Sequence, residues 1–187
     1  MVKEGNKKRI LCEGLKGLMQ ERPLKNISVR DIVRVSGQSR SVFYYYFRDK
    51  YELLNEVCYQ DIIIPFAKDL TAENLNDKFL QMLETVKKDA VFYQNALDNP
   101  YSMEFKQFVI QSFTEVFEDM AERAETDGMV YFSDRHFTAE FFTYCIGGML
   151  LHHMSGNAET PDMLSEEFFS LAENRRKLLF ENVAMKI

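Results

Sequence analysis

Apolar side chains recur along this chain at intervals of three and four, the spacing that places them on one side of an α-helix. Ile10, Leu11, Leu15, Leu18 and Met19 form the first such face and predict an amphipathic helix over about 7–21, which Pro23 ends. Ser28 stands three residues before Asp31, the pattern of a capping box, and predicts a short helix running to about residue 35. Ser36-Gly37-Gln38 is its stop and turn, with Gly37 supplying the left-handed backbone that a sharp helix-to-helix turn requires. Ser39 caps a third helix to about residue 47, and Asp49 with Glu52 caps a fourth. That fourth helix turns Leu53, Leu54, Val57, Cys58, Ile62 and Ile63 inward and is expected to persist until Pro65 interrupts or kinks it.

Further along, Phe79, Leu80, Leu83 and Val86 mark another helix, Asp89 caps a short one to about residue 97, and Asn99-Pro100 breaks the chain. Phe105, Phe108, Val109, Ser112, Val116, Phe117 and Met120 keep helical period over about 102–124. After a turn at Asp127-Gly128, a helix over about 133–154 is expected to carry Phe137, Phe141, Cys145 and Met149 on one face. Thr160-Pro161 opens a final helix to about residue 184. Only 8 Gly and 4 Pro among 187 residues leave few sites for tight β turns. The expected fold is all-α.

Charge divides the chain in two. Residues 1–60 hold twelve Lys/Arg against seven Asp/Glu, a net +5, whereas the rest holds eleven against twenty-two, a net −11. A small basic part beside a large acidic one suggests that the first meets a polyanion which the second repels. The three cysteines, Cys12, Cys58 and Cys145, are far apart and form no Cys-x-x-Cys pair, so they read as buried thiols of a reducing compartment. No apolar run reaches the length of a membrane span, and no signal core follows the basic start, so a cytoplasmic location is expected. Enzyme motifs are missing as well: there is no phosphate-cradling glycine loop, no Gly-x-Ser-x-Gly elbow and no His-Glu-x-x-His. His152-His153 has no spacing to a third ligand that matches an established metal site, and no cofactor is expected.

Function is concentrated in residues 28–50. Two short helices around a glycine turn form a helix-turn-helix, whose second helix is the one expected to enter a DNA major groove. The stretch Ser36-Gly-Gln-Ser-Arg-Ser-Val-Phe-Tyr-Tyr-Tyr-Phe-Arg-Asp-Lys50-Tyr-Glu-Leu-Leu54 resembles the recognition-helix signature of the tetracycline-repressor (TetR) family. Gly37, Ser39, Tyr44, Phe47, Lys50 and Leu53 match that signature in register, and the resemblance covers roughly residues 8–60. Gln38, Val33, Ser36 and Val42 depart from it, standing where the family usually has an apolar residue, two alanines and a threonine.

On the residues' own chemistry, Val42, Phe43 and Phe47 are the apolar face that packs on the first two helices. Tyr44 and Tyr46 can offer hydroxyls to phosphate oxygens, as Ser28 can from the start of the second helix. Lys50 adds a cation at the start of the fourth helix. The resemblance implies backbone contacts for Tyr44 and Lys50. Gln38, Ser39, Arg40, Ser41 and Tyr45 stand at or near the leading end of the recognition helix, where Arg40 can pair with guanine. Gln38 either reads adenine or is a plain polar surface residue.

The larger part, residues 49–187, begins with a connector helix over about 49–64 and follows a DNA-binding domain of residues 1–48. It holds fourteen of the 16 Phe and eight of the 10 Met. Such side chains usually form core, yet they also suit a pocket for an apolar or aromatic small molecule. The resemblance implies an effector pocket of this kind, with Phe92, Tyr93, Phe108, Phe113, Phe141 and Tyr144 as candidates. It also implies a homodimer, formed by the last two long helices, on a near-palindromic operator. Gly147-Gly148 in mid-helix marks either the close approach of another helix or a local kink. The expected function is a repressor released by that effector; the alternative is a DNA-anchored factor whose larger part binds a protein.

Overall fold

The computed structural model describes residues 2–71, 73–126 and 135–156, and over these the protein is all-α. The expected turn at Asp127-Gly128 and the helix expected after Pro161 lie outside the described residues. Three helices come first: α1 (Val2–Glu21), α2 (Val29–Val35) and α3 (Arg40–Tyr46), with a 3₁₀ turn at Leu24–Asn26. Next come α4 (Lys50–Cys58), a π-helical turn (Tyr59–Ile63) and α5 (Ile64–Ala67), which together form the connector. The larger half follows with α6 (Leu75–Lys88), α7 (Ala90–Leu97) and α8 (Ser102–Thr126). Its described part closes with α9 (Arg135–Phe142), a second π-helical turn (Thr143–Gly147) and α10 (Gly148–Met154).

Pro65 does not end the connector. It sits in the first turn of α5, where its missing N–H is dispensable, and the wider turn before it makes room for the ring. α1 likewise begins at Val2, ahead of its apolar face, because adding residues to an existing helix is easy once a packed turn has nucleated it.

One continuous core joins both halves. Leu11, Leu15 and Met19 of α1 meet Phe43 of α3 and the adjoining Phe47, and the same cluster continues through Leu54 and Cys58 to Phe66, Phe92 and Phe113. α1 packs against α2 and α3 on one side and against α4 and α7 on the other. Within the larger half, Phe66 sets its ring edge-on to Phe113 at 5.2 Å, and Phe117 lies 5.7 Å from Phe142. Rings fill this space.

The α9–α10 segment turns a different face inward from the one its bulkiest residues suggest. Ala139, Thr143, Ile146, Gly147, Leu150 and Met154 are buried, while Phe137, Phe141 and Tyr144 are exposed and Cys145 and Met149 are half-buried. The reason is the nearness of α8: a Cβ on Gly147 would lie 3.1 Å from Ile110 Cδ1, so the stripe of smaller residues is the one that fits. Gly147 therefore serves a tight crossing within the chain. Gly148 is exposed, with open space around its Cα. Of the three thiols, Cys12 and Cys58 are buried as expected, but Cys145 is only half-buried on that outer flank.

Candidate nucleic-acid interface

The turn between α2 and α3 is built from local hydrogen bonds. Ser28 and Asp31 form the capping box: the Asp31 N–H donates to Ser28 Oγ at 3.2 Å and the Ser28 N–H donates to Asp31 Oδ2 at 3.1 Å. The Ser28 hydroxyl also donates to Asp31 Oδ2 at 2.7 Å, and Arg22 and Arg34 approach the same carboxylate at 3.3 Å each. These bonds, the Ser28 hydroxyl's first, hold the Asp31 carboxyl below its ordinary pKa. At the other end of α2, Gln38 N–H donates to Val33 O and Gly37 N–H to Arg34 O, a Schellman pair that needs the positive φ of 62° at Gly37. α1 lies close against this turn, since a Cβ on Gly14 would collide with Ser36 Oγ.

α3 starts on Ser39, whose hydroxyl accepts from Val42 N–H at 3.2 Å. Phe43 and Phe47 are buried, and Val42 and Tyr46 pack partly against the same core. This arrangement leaves Ser39, Arg40, Ser41, Tyr44 and Tyr45 on the outward side, with Tyr45 72% exposed. Gln38 is half-buried and bends back, its amide donating to Ser36 O at 3.3 Å. Ser28 is exposed at the start of α2 but engaged with Asp31. The outward face thus gathers a guanidinium, small hydroxyls and phenols, a set that can donate to base edges and phosphate oxygens alike. Arg40 has no partner among the described residues.

Lys50 stands elsewhere than a free cation would. Its ammonium donates to the carbonyls of Leu24 and Ile27, both at 2.8 Å, so it fastens the 3₁₀ turn to the start of α4. Burial pushes its pKa down, against the pull of Asp49. Any contact with phosphate has to compete with those carbonyls. Tyr46 is drawn toward the core, which leaves Tyr44 as the more outward phenol of that pair.

The six aromatic residues proposed for an effector site are not brought together. Phe92, Tyr93 and Phe113 are fully buried in the core, Phe108 is half-buried, and Phe141 and Tyr144 face outward. Two open surface grooves lie among the described residues, one between α1 and the end of α2, the other among α7, α8 and α10. None of the six lines either groove. Sequence reading also missed the charged contacts of α1. Lys8, Cys12 and Lys16 lie one turn apart on a single stripe, a cation–thiol–cation spacing that marks a polar edge on an apolar helix.

Two short capped helices, a glycine turn and an exposed polar face that carries Arg40 define the helix-turn-helix class of regulators. Comparison with known proteins narrows this. A profile described as "Bacterial regulatory proteins, tetR family" matches residues 13–57, and one described as "Transcriptional regulator C-terminal region" matches 73–174, more than half of the chain. The chain belongs to the TetR family of transcriptional regulators. Among curated proteins none matches it. Solved structures share its fold, among them the following three. The dihydroxyacetone kinase operon activator DhaS has 19% identity and a TM-score of 0.65, with 96% of this chain and 97% of that one covered. A protein described as a TetR-family regulator from Syntrophomonas wolfei has 18% identity and a TM-score of 0.66, with 90% and 94% covered. NalD, the secondary repressor of the MexAB-OprM multidrug efflux pump in Pseudomonas aeruginosa, has 18% identity and a TM-score of 0.56, again with 90% and 94% covered. No helix among the described residues is long and apolar enough to cross a membrane.

Proposed function

We propose that the protein is a homodimeric cytoplasmic repressor that seats α3 of each subunit in successive major grooves of a near-palindromic operator. The carrying observation is the outward face of α3, where Arg40, Ser41 and Tyr45 stand clear of a helix pinned from behind by Phe43 and Phe47. Arg40 reads a base edge, Ser28 and Tyr44 hold phosphates, and residues up to about 48 act as the DNA-binding unit. Gln38, Ser39 and Tyr46 contribute only through rearrangement, because the first is folded back, the second is occupied as a cap and the third is packed inward. Repression is the outcome where the operator overlaps a promoter, since the bound dimer then excludes polymerase without needing any further surface. Release follows when a small apolar or aromatic effector binds the non-operator arrangement more tightly.

A second reading has one observation in its favour: Phe92, Tyr93 and Phe113 are packed inside the core while Phe141 and Tyr144 face outward. In that reading the larger half receives a protein, not a small molecule. Selection of bound DNA from a random pool at defined salt tests the central claim, and a short inverted repeat is the expected product. A pool that yields no preferred sequence overturns it. Operator binding that responds to a purified protein fraction and to no small molecule moves the conclusion to the second reading.

A further inference from the structure

Three charged side chains from three elements meet where α1 crosses the connector. Lys16 Nζ lies 2.6 Å from Asp61 Oδ2 and 2.8 Å from Asp89 Oδ2. Lys16 comes from α1, Asp61 from the π-helical turn, and Asp89 from the junction of α6 and α7. All three side chains are largely buried, at 18, 28 and 22% exposure. Burial works against the charge on Lys16, but the bonds to both carboxylates outweigh it and raise its pKa above that of an ordinary lysine. Two turns earlier on the same stripe, Lys8 pairs with Glu56 at 2.7 Å, with buried Cys12 between the two ion pairs. At the end of α1, the Asn95 amide of α7 donates to Met19 O at 2.8 Å and Arg22 O at 3.1 Å.

A part-buried ion cluster is a weak source of stability, because desolvation offsets most of its attraction. What it supplies is geometry: one ammonium satisfies two carboxylates on different elements in only one relative placement of those elements. The π-helical turn matters here, since Asp61 lies within it, where the wider winding departs from the helical phase of α4. α1 carries α2 and α3 on its other side, pressed to the turn at Gly14 and Ser36. Turning α1 about the connector therefore swings the outward face of α3 without altering it.

We propose that Lys16 is a positioning residue for DNA binding: by bridging Asp61 and Asp89 it fixes the angle of α1 on the connector, and so the half-site spacing that the dimer accepts. This rests on the operator-binding dimer proposed above. The test measures affinity for the selected inverted repeat with its spacer lengthened or shortened by one or two base pairs. The proteins compared are the wild type, Lys16→Met, Lys16→Arg, and the uncharged triple variant Lys16→Met, Asp61→Asn, Asp89→Asn. Wild-type protein is expected to discriminate the best spacer from its neighbours, and Lys16→Met to lose about fivefold or more of that ratio. Base preferences within each half-site stay the same, and Lys16→Arg retains the wild-type ratio. A residue that only supports folding lowers the melting temperature and weakens all spacers in equal proportion. An unchanged spacer ratio in folded Lys16→Met, or in the triple variant should the single one not fold, overturns the proposal. Failure of both to fold overturns it too, by making the triad a folding requirement. A wild type that selects no paired half-sites instead overturns the dimer reading, and the proposal with it.

Discussion

α3 and the α9–α10 segment both turn aromatic rings to the outside, in different chemical settings. On α3 the exposed rings are phenols, Tyr44 and Tyr45, beside Arg40 in the part of the chain that carries net positive charge. On α9–α10 they are Phe137, Phe141 and Tyr144, in the part that carries net negative charge. Hydroxyls and a guanidinium suit a polyanion, whereas Phe141 has no polar atom to offer one. Behind each face the packing differs as well. α3 is pinned by large rings, Phe43 and Phe47, while α9–α10 lies close to α8 through small residues such as Ala139 and Gly147. Periodicity says which residues share a face; the neighbour opposite says whether that face is inside.

Truncating one ring from each region should separate the two most strongly. Phe43→Ala is expected to cost about 3–5 kcal/mol of folding stability, because Phe43 is fully enclosed in the shared core. Phe141→Ala is expected to change it by no more than about 0.5 kcal/mol in the monomer. Denaturant unfolding measures both, and equal losses would mean that Phe141 is covered in solution. Next in size, Arg40→Ala is expected to weaken binding to the selected operator by about 1–3 kcal/mol while leaving random DNA nearly unaffected. Equal losses on both DNAs would remove Arg40 from base reading.

The two adjacent glycines should respond with opposite signs. Gly147→Ala places a methyl 3.1 Å from Ile110 Cδ1 and is expected to destabilise, whereas Gly148→Ala has open space and should gain up to about 1 kcal/mol of helix propensity. Thermal melts of the pair decide this, and a destabilised Gly148→Ala would indicate a neighbour at that face.

Smaller effects come from titration and thiol reactivity. Asp31 has a lowered folded pKa, so the stability it contributes is present above the unfolded carboxylate pKa and is lost as pH falls through the folded value. Asp31→Asn is therefore expected to lower the melting temperature at pH 7 and to make little difference at pH 2, in parallel scans. Burial raises the Cys12 thiol to about 12 and Cys58 further, whereas Cys145 is half-buried. Alkylation of the native protein, followed by mass spectrometry, should modify Cys145 first.

Local signals in the first sixty residues were readable because their causes are local. Ser28 with Asp31, Gly37, Ser39 and Asp49 each act on backbone within a few positions, and each cap and turn stands where the residue type requires it. The apolar set Phe43, Phe47, Leu53 and Leu54 is buried for the same reason that its spacing is helical. Harder to read were features with a distant partner. Nothing near Lys50 in sequence points to the carbonyls of Leu24 and Ile27, and nothing near Pro65 signals the wide turn that carries the helix past it.

An all-helical chain, the caps and turn of the α2–α3 unit, and the charge contrast between the two halves are all legible from the order of residues alone. These follow from backbone geometry and composition, which act over a few residues or over the whole chain without regard to what touches what. Which stripe of α9–α10 faces inward depends on packing between helices, because the close approach of α8 admits Gly147 and excludes larger side chains there. Such packing likewise decides that Lys16 meets Asp61 and Asp89, residues 45 and 73 positions away. Such contacts depend on how whole helices cross, and that angle is set by packing summed over the core, a quantity no short stretch of sequence contains.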